Sequence, residues 1–201
     1  MIKTIIFDFD GTIADTFDGI KNIAKKELGA SDEDFRFLKN NGLKSLFKKS
    51  KLPFWKIPKV TFKVLSKLSK RKNLKLFPEI IDLLNELKEN YKFGIISSNS
   101  EENIREILKD HNIENLFEFI YSESSLFGKS RVIKKVIKKY KFNLEDIIYV
   151  GDEDRDIIAA KRSKIKIIAV TWGFNSKEKL LREKPDYLVD TPKGIIDKIM
   201  I

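Results

Sequence analysis

Four short polar clusters in this sequence each fall just after an apolar run or at the start of an expected helix. The first is Phe7-Asp8-Phe9-Asp10-Gly11-Thr12, following Ile5-Ile6. Asp8 and Asp10 are two residues apart, so on an extended chain both carboxylates point to the same side. Carboxylates this close raise one another's pKa, and a divalent cation would relieve the repulsion. Gly11 allows a sharp turn and a close approach of backbone N–H groups to a ligand. The second cluster is Gly151-Asp152-Glu153-Asp154-Arg155-Asp156, directly after Ile147-Ile148-Tyr149-Val150. Asp152 stands at the strand end, Asp156 where a helix is expected to begin, and Glu153 and Asp154 read as solvated. Acids at a helix start also serve as ordinary caps, so this cluster alone does not separate a cap from a metal site. Hard oxygen donors without neighbouring histidine or cysteine favour Mg2+ over zinc. Third is Ser98-Asn99, a hydroxyl and an amide that suit phosphate oxygens but are also routine in loops. Fourth is Gly128-Lys129, where one lysine in a chain holding 40 lysines and arginines carries no information by itself.

The elements that would position these clusters follow from periodicity. Ile80, Ile81, Leu83, Leu84 and Leu87 have helical spacing, with Pro78 and Glu79 opening the run. Phe93–Ile96 reads as a buried strand, residues 101–110 as a helix, and Phe117–Tyr121 as a strand. A lysine-rich helix carries Val132, Ile133, Val136 and Ile137. After the strand Ile147–Val150 come a helix over about 156–163 and the strand Ile165–Val170. A helix near Lys177–Glu183, the strand Tyr187–Val189 and a helix over 192–200 complete the pattern. Near-continuous apolar strands alternating with helices predict an α/β fold with a parallel sheet covered on both faces. The clusters would then share the edge formed by the strands' carboxyl ends, where such sheets bind ligands.

Residues 16–76 break this rhythm. Helical spacing at Ile20, Ile23 and Ala24, and again at Val64, Leu65 and Leu68, is interrupted by Asn41-Gly42, Pro53 and Pro58. We read the segment as a small helical insertion in a core formed by residues 1–15 and 77–201. It also holds the surplus charge. The whole chain has a formal net charge of +10, yet Thr16–Pro78 alone carries 17 basic against 5 acidic residues, a balance of +12. Such a surplus fits an anionic partner or a solvated lysine-rich surface. Phe54-Trp55 could face a substrate or pack inside the insertion.

Composition narrows the remaining choices. With 42% hydrophobic residues among 201, the chain can bury a sizeable core and is not a disordered composition. Having no cysteine, it excludes disulfides, thiolate metal sites and a cysteine nucleophile. Neither a secretory signal pattern nor an apolar run of membrane-spanning length is present, so the expectation is a cytoplasmic protein without a membrane partner. His111, the single histidine, reads as a surface or helix-end residue.

In their order, DFDGT, SSN, GK and GDEDRD, these motifs resemble those of haloacid dehalogenase superfamily phosphatases, in the branch that includes phosphoglycolate phosphatases and sugar-phosphate mutases. Trp172-Gly173 and Pro185-Asp186-Tyr187 are similar to that branch as well. Ser130 stands where many relatives have proline, and Glu153 where serine or threonine is common. The resemblance implies a doubly wound, Rossmann-like core with a helical cap, and hydrolysis of small phosphate monoesters with Mg2+. It makes Asp8 the nucleophile and Asp10 the general acid/base. Asp8, the Asp10 backbone carbonyl and Asp152 would hold the metal, with Asp156, Gly11 and Thr12 as supporting residues. Ser98, with Asn99, would bind the phosphoryl group, and Lys129 would neutralise it. The implied partner is a small phosphorylated metabolite, including one with a second anionic group. Asp10 argues against a dehalogenase, which needs no acid at that position. A phosphomutase of the same fold, and a non-enzymatic nucleic-acid-binding protein using the basic segment, are the alternatives.

Overall fold

The computed structural model describes residues 2–17, 21, 25, 31–41, 74–122 and 128–200. Its elements in chain order are β1 (Thr4–Phe7), α1 (Asp32–Asn41), α2 (Ile80–Leu87), β2 (Lys92–Ser97), α3 (Glu101–Asp110), β3 (Phe117–Ser122), α4 (Lys129–Tyr140), β4 (Ile147–Gly151), α5 (Asp154–Ser163), β5 (Lys166–Val170), α6 (Lys177–Arg182), β6 (Tyr187–Val189) and α7 (Lys193–Ile199). The six strands form one parallel sheet in the order β3-β2-β1-β4-β5-β6. This is the expected α/β, Rossmann-like arrangement, with β1 near the centre.

Alternation along each strand sorts side chains between two cores. Ile5, Phe7, Ile95, Ile148, Val150 and Ile168 face one side, where Leu83, Leu84 and Leu87 of α2, Ile104 and Leu108 of α3, and Ile195 and Ile199 of α7 cover them. Ile6, Ile96, Tyr149, Ile167 and Ala169 face the other, under Ile133 and Val136 of α4, Ile157 and Ala160 of α5, and Leu180 of α6. Both faces are apolar, which is why the strands read as continuous hydrophobic runs.

Two element boundaries differ from the sequence reading by more than one residue. Pro78 and Glu79 lie before α2, not in its first turn; Glu79 is its N-cap with a left-handed backbone (φ 64°). Helix α5 begins at Asp154, so Asp156 is the third residue of its first turn, where its carboxylate completes a capping box with Glu153.

The basic segment leaves and returns at one point. Ala14 bridges Leu76, Asp15 N–H donates to Lys75 O (2.9 Å), and Phe77 N–H donates to Ile13 O (3.0 Å). Within it, Ser31 caps α1 by accepting from Asp34 N–H (3.1 Å), while the Asp34 carboxylate accepts from Ser31 N–H (2.9 Å). Lys21 and Lys25 pair with Asp32 at 2.7 and 2.6 Å, so two of the segment's lysines have a carboxylate partner. The expected patterns at Ile20, Ile23, Ala24, Gly42, Pro53, Phe54, Trp55, Pro58, Val64, Leu65 and Leu68 lie outside the described residues. His111 caps α3 at its C-terminal end, as expected, and its Nε2 is 2.8 Å from Leu74 O, where the chain re-joins the core.

Gly94 in β2 has no room for a side chain, because a Cβ there would lie 2.1 Å from Cζ of Phe119. The Phe119 ring in turn packs against Tyr140 at 4.9 Å and Tyr121 at 5.8 Å, so it has no free direction in which to retreat. Gly94→Ala should therefore destabilise the fold by about 1–3 kcal/mol through overpacking. Urea denaturation checks this, and an unchanged midpoint would show that the ring can give way.

Candidate active site

The clusters converge where the strand order reverses. From β1 the chain runs to β2 and β3 on one side, then crosses to β4 on the other, leaving a crevice beyond the carboxyl ends of β1 and β4. Asp8 N–H donates to Val150 O (2.8 Å), which carries the β1–β4 ladder one residue further and sets Asp8 beside Gly151-Asp152. Asp8 is buried. Its Oδ1 accepts from Phe9 N–H (2.8 Å), and its Oδ2 accepts from the Lys129 ammonium (2.8 Å).

Lys129, the first residue of α4, is itself buried and also bonds Asp156 Oδ1. Burial alone would lower its pKa, but the Asp156 and Asp8 carboxylates together hold it well above the usual lysine range. Its Nζ lies 5.6 Å from the ring centre of Tyr149, whose hydroxyl donates to Ile96 O (2.7 Å) and so fixes the floor beneath the lysine. Asp156 uses its other oxygen to accept from Glu153 N–H (3.0 Å). Burial pushes Asp156 up and Lys129 pulls it back. Asp156 is thus a brace that ties Lys129 to the β4–α5 turn.

Asp152 is fully buried at the end of β4. Thr12 Oγ1 donates to its Oδ1 (2.8 Å) and Phe174 N–H to its Oδ2 (2.7 Å). Burial, and the charges of Glu153, Asp8 and Asp156, push its carboxyl well above the ordinary aspartate value. Two glycines make room for it: a Cβ on Gly11 would lie 2.3 Å, and one on Gly173 2.2 Å, from Asp152 Oδ2. At Gly11 the backbone is also left-handed (φ 79°), a conformation that side chains disfavour.

Asp10 lies at the partly open mouth of the crevice, with protein around the rest of it. Burial and the Asp8 charge push its carboxyl up to about 7. Its partner is Asn99, whose Nδ2 donates to Asp10 Oδ1 (3.2 Å). Asn99 is oriented by its own Oδ1, which accepts from Ser100 N–H (2.8 Å) and Asn103 Nδ2 (2.9 Å). Ser100 in turn caps α3, accepting from Asn103 N–H (3.3 Å). The Ser98-Asn99-Ser100 run is therefore both strand terminator and helix cap, and it turns an amide toward Asp10. Ser98 sits between, its Oγ 3.4 Å from an Arg155 nitrogen.

The sequence reading of Glu153 as solvated is corrected, whereas Asp154 stays partly exposed. Glu153 is buried because its carboxylate is bound by Arg155, and Asp154 pairs with the buried Lys179 of α6. The contributions of Arg155, Phe174 and Asn175 are further findings. Asn175 Oδ1 accepts from Asp154 N–H and from Lys179, both at 2.9 Å, and locks the loop after β5 against α5. The stretch Gly173-Phe174-Asn175 follows a strand's carboxyl end, the same signal that marked the other clusters.

The donor set fits a divalent cation. Carboxylate oxygens of Asp8, Asp152 and Asp156 lie within 4.8 Å of one another, all three buried. Among the described residues, Lys129 and Arg155 are the cations that act on this group of carboxyls. The oxygens are hard, and each holds lone pairs beyond those already engaged.

Comparison with known proteins agrees with this geometry. The family described as "Haloacid dehalogenase-like hydrolase" matches residues 5–170, and the chain belongs to that family. A phosphoglycolate phosphatase of Synechococcus elongatus is 30% identical across 98% of this chain and 97% of its own length. Pyrophosphatase PpaX of Oceanobacillus iheyensis is 26% identical across 97% and 95%. The solved structure of a haloacid dehalogenase-like family hydrolase from Streptococcus pneumoniae superposes with a TM-score of 0.81 at 30% identity, covering 98% of both chains. None of the described helices is long and apolar enough to cross a membrane.

The Lys129 bridge generates a stability prediction. Without the ammonium, Asp8 and Asp156 would face each other buried and unpaired, which costs about 3–5 kcal/mol for a broken buried pair. Lys129→Met, measured by urea denaturation without divalent cation, should lose stability of that order. A loss below about 1 kcal/mol would mean that the two aspartates already find other relief.

Proposed function

We propose that this hydrolase cleaves small phosphate monoesters with Mg2+, through a phosphoaspartate formed on Asp8. The observation that carries the reading is the contrast between two neighbouring carboxyl groups. Asp8 is held by the Lys129 ammonium at 2.8 Å, whereas Asp10 has a neutral amide partner and is pushed up to about 7. Pairing with a cation suits Asp8 to act as nucleophile, and the raised Asp10 carboxyl is suited to carry a proton.

Asp8, Asp152 and the Asp10 backbone carbonyl would hold Mg2+, which supplies charge neutralisation for the phosphoryl oxygens. An Asp8 oxygen attacks phosphorus in line as the bond to the leaving oxygen breaks. Asp10 gives its proton to that oxygen, and the alcohol departs. Asp10 then takes a proton from a water whose oxygen attacks the same phosphorus, releasing inorganic phosphate and restoring the Asp8 carboxylate. Throughout, Lys129 offsets negative charge on Asp8 and the phosphoryl group, and the Ser98 hydroxyl and Asn99 hold the equatorial oxygens. Residues 16–76 act as a cap over the crevice. Their surplus of positive charge fits substrates with a second anion, a feature shared by phosphoglycolate and pyrophosphate, for which the relatives above are named.

The test is phosphate release from a panel of phosphorylated metabolites, with Mg2+ and with chelator. Activity should require the cation and should fall to background in Asp8→Asn with the fold retained. Substantial activity in that variant, or isomerisation of a sugar phosphate without phosphate release, would overturn the reading.

Asp10→Asn should slow alkyl esters by about 10²–10⁴, the usual worth of a general acid/base. Nitrophenyl phosphate, whose leaving group needs no proton, should suffer less. Equal losses on both substrates would remove Asp10 from the first step.

A further inference from the structure

Arg155, the second residue of α5, is not needed for any step above, yet its guanidinium reaches into the crevice. Its Nη2 bonds the Glu153 carboxylate and lies 3.4 Å from Ser98 Oγ. Glu153 is buried and bridged to Asp156 through its backbone N–H, so the arginine is clamped from below by the same turn that holds Lys129. Among the described residues, only two buried side-chain polar atoms lack a hydrogen-bond partner, Arg155 Nε and Thr16 Oγ1. Buried orphans are rare in folded proteins. Here one belongs to the side chain beside Ser98.

We propose that Arg155 is a positioning residue for phosphoryl binding, acting through Ser98. A serine hydroxyl has one O–H to give and lone pairs to receive. When Arg155 donates to Ser98 Oγ, a lone pair is used and the O–H remains directed to a phosphoryl oxygen. Glu153 keeps the guanidinium in place. Arginine suits this task because its planar fork can hold Glu153 and Ser98 at once, which a single ammonium on a flexible stem does less well. Glu153 and Arg155 of the second acidic cluster thereby act as one unit. The assignment rests on the phosphoryl-transfer reading above.

The experiment is a double-mutant cycle joining Arg155→Gln and Ser98→Ala, read by kcat, KM and the Kd for inorganic phosphate in the presence of Mg2+. Loss of one charge-assisted hydrogen bond corresponds to about 10–100-fold. Arg155→Gln should weaken phosphate binding and lower kcat/KM within that range, and Arg155→Lys should recover little of it. In the Ser98→Ala background the same change should cost no more than about twofold, because the group it acts through is gone. Additive losses, or an unchanged phosphate Kd, would overturn the proposal and leave Arg155 a brace of the turn. Should Arg155→Gln fail to fold, Glu153→Gln releases the clamp while keeping its shape, and it must show the same dependence on Ser98. If the wild-type enzyme released phosphate from no ester, the functional reading would fail, while the phosphate-binding cycle would still report on Arg155 and Ser98.

Discussion

Lys129 sits where a cluster of buried carboxyl groups would otherwise push the ends of β1 and β4 apart. At about 4 Å, two like charges in a protein-like dielectric repel by about 4 kcal/mol. The ammonium meets this by touching Asp8 and Asp156 at once, and in doing so it joins three elements. Asp8 belongs to the end of β1, Asp156 to α5, and Lys129 to α4. Its remaining surroundings, the Tyr149 ring below and the sheet on either side, keep water from weakening the bridge. Lys129 alone does not balance the whole group, and the residual negative charge suits the crevice to a metal ion.

The sheet makes this crowding possible. Because the chain builds β1, β2 and β3 in one direction and then crosses back for β4 and β5, two strand ends meet with no connection between them. Side-chain alternation commits each strand residue to one of two apolar cores, so polar chemistry is confined to the residues just past the strands. Small residues decide how closely those ends can approach. Gly11 and Gly173 admit the Asp152 carboxylate from two sides, and Thr12 and the Phe174 backbone fix its orientation.

Much of this was legible in the sequence, for identifiable reasons. Continuous apolar runs such as Ile147–Val150 announce strands buried on both faces, and polar residues immediately after them mark the binding edge. Asp8, Asp10, Asp152, Ser98 and Asn99 stand out in that way, Lys129 only through the family resemblance, and the structure brings all six to one crevice. Strand order was less legible: with both faces apolar, no strand's pattern says which neighbour it pairs with. Glu153 was misread because a glutamate in a charged run normally faces water. Its burial depends on Arg155 folding back over it, a contact between side chains two residues apart that periodicity does not encode. Phe174 was missed for another reason, since it holds Asp152 through its backbone, and any residue type offers that N–H.

The paired exit and return of the basic segment, Ala14-Asp15 beside Lys75-Leu76, have a consequence for how such enzymes diversify. The core itself brings the two ends together, so the chain between them behaves thermodynamically as a closed loop. The entropy of closing a loop rises only with the logarithm of its length, about 0.6 kcal/mol for each doubling. A graft of quite different size or sequence at this doorway would therefore tax the sheet very little. Selection can rewrite the segment between these ends while the carboxylates of the crevice keep their places.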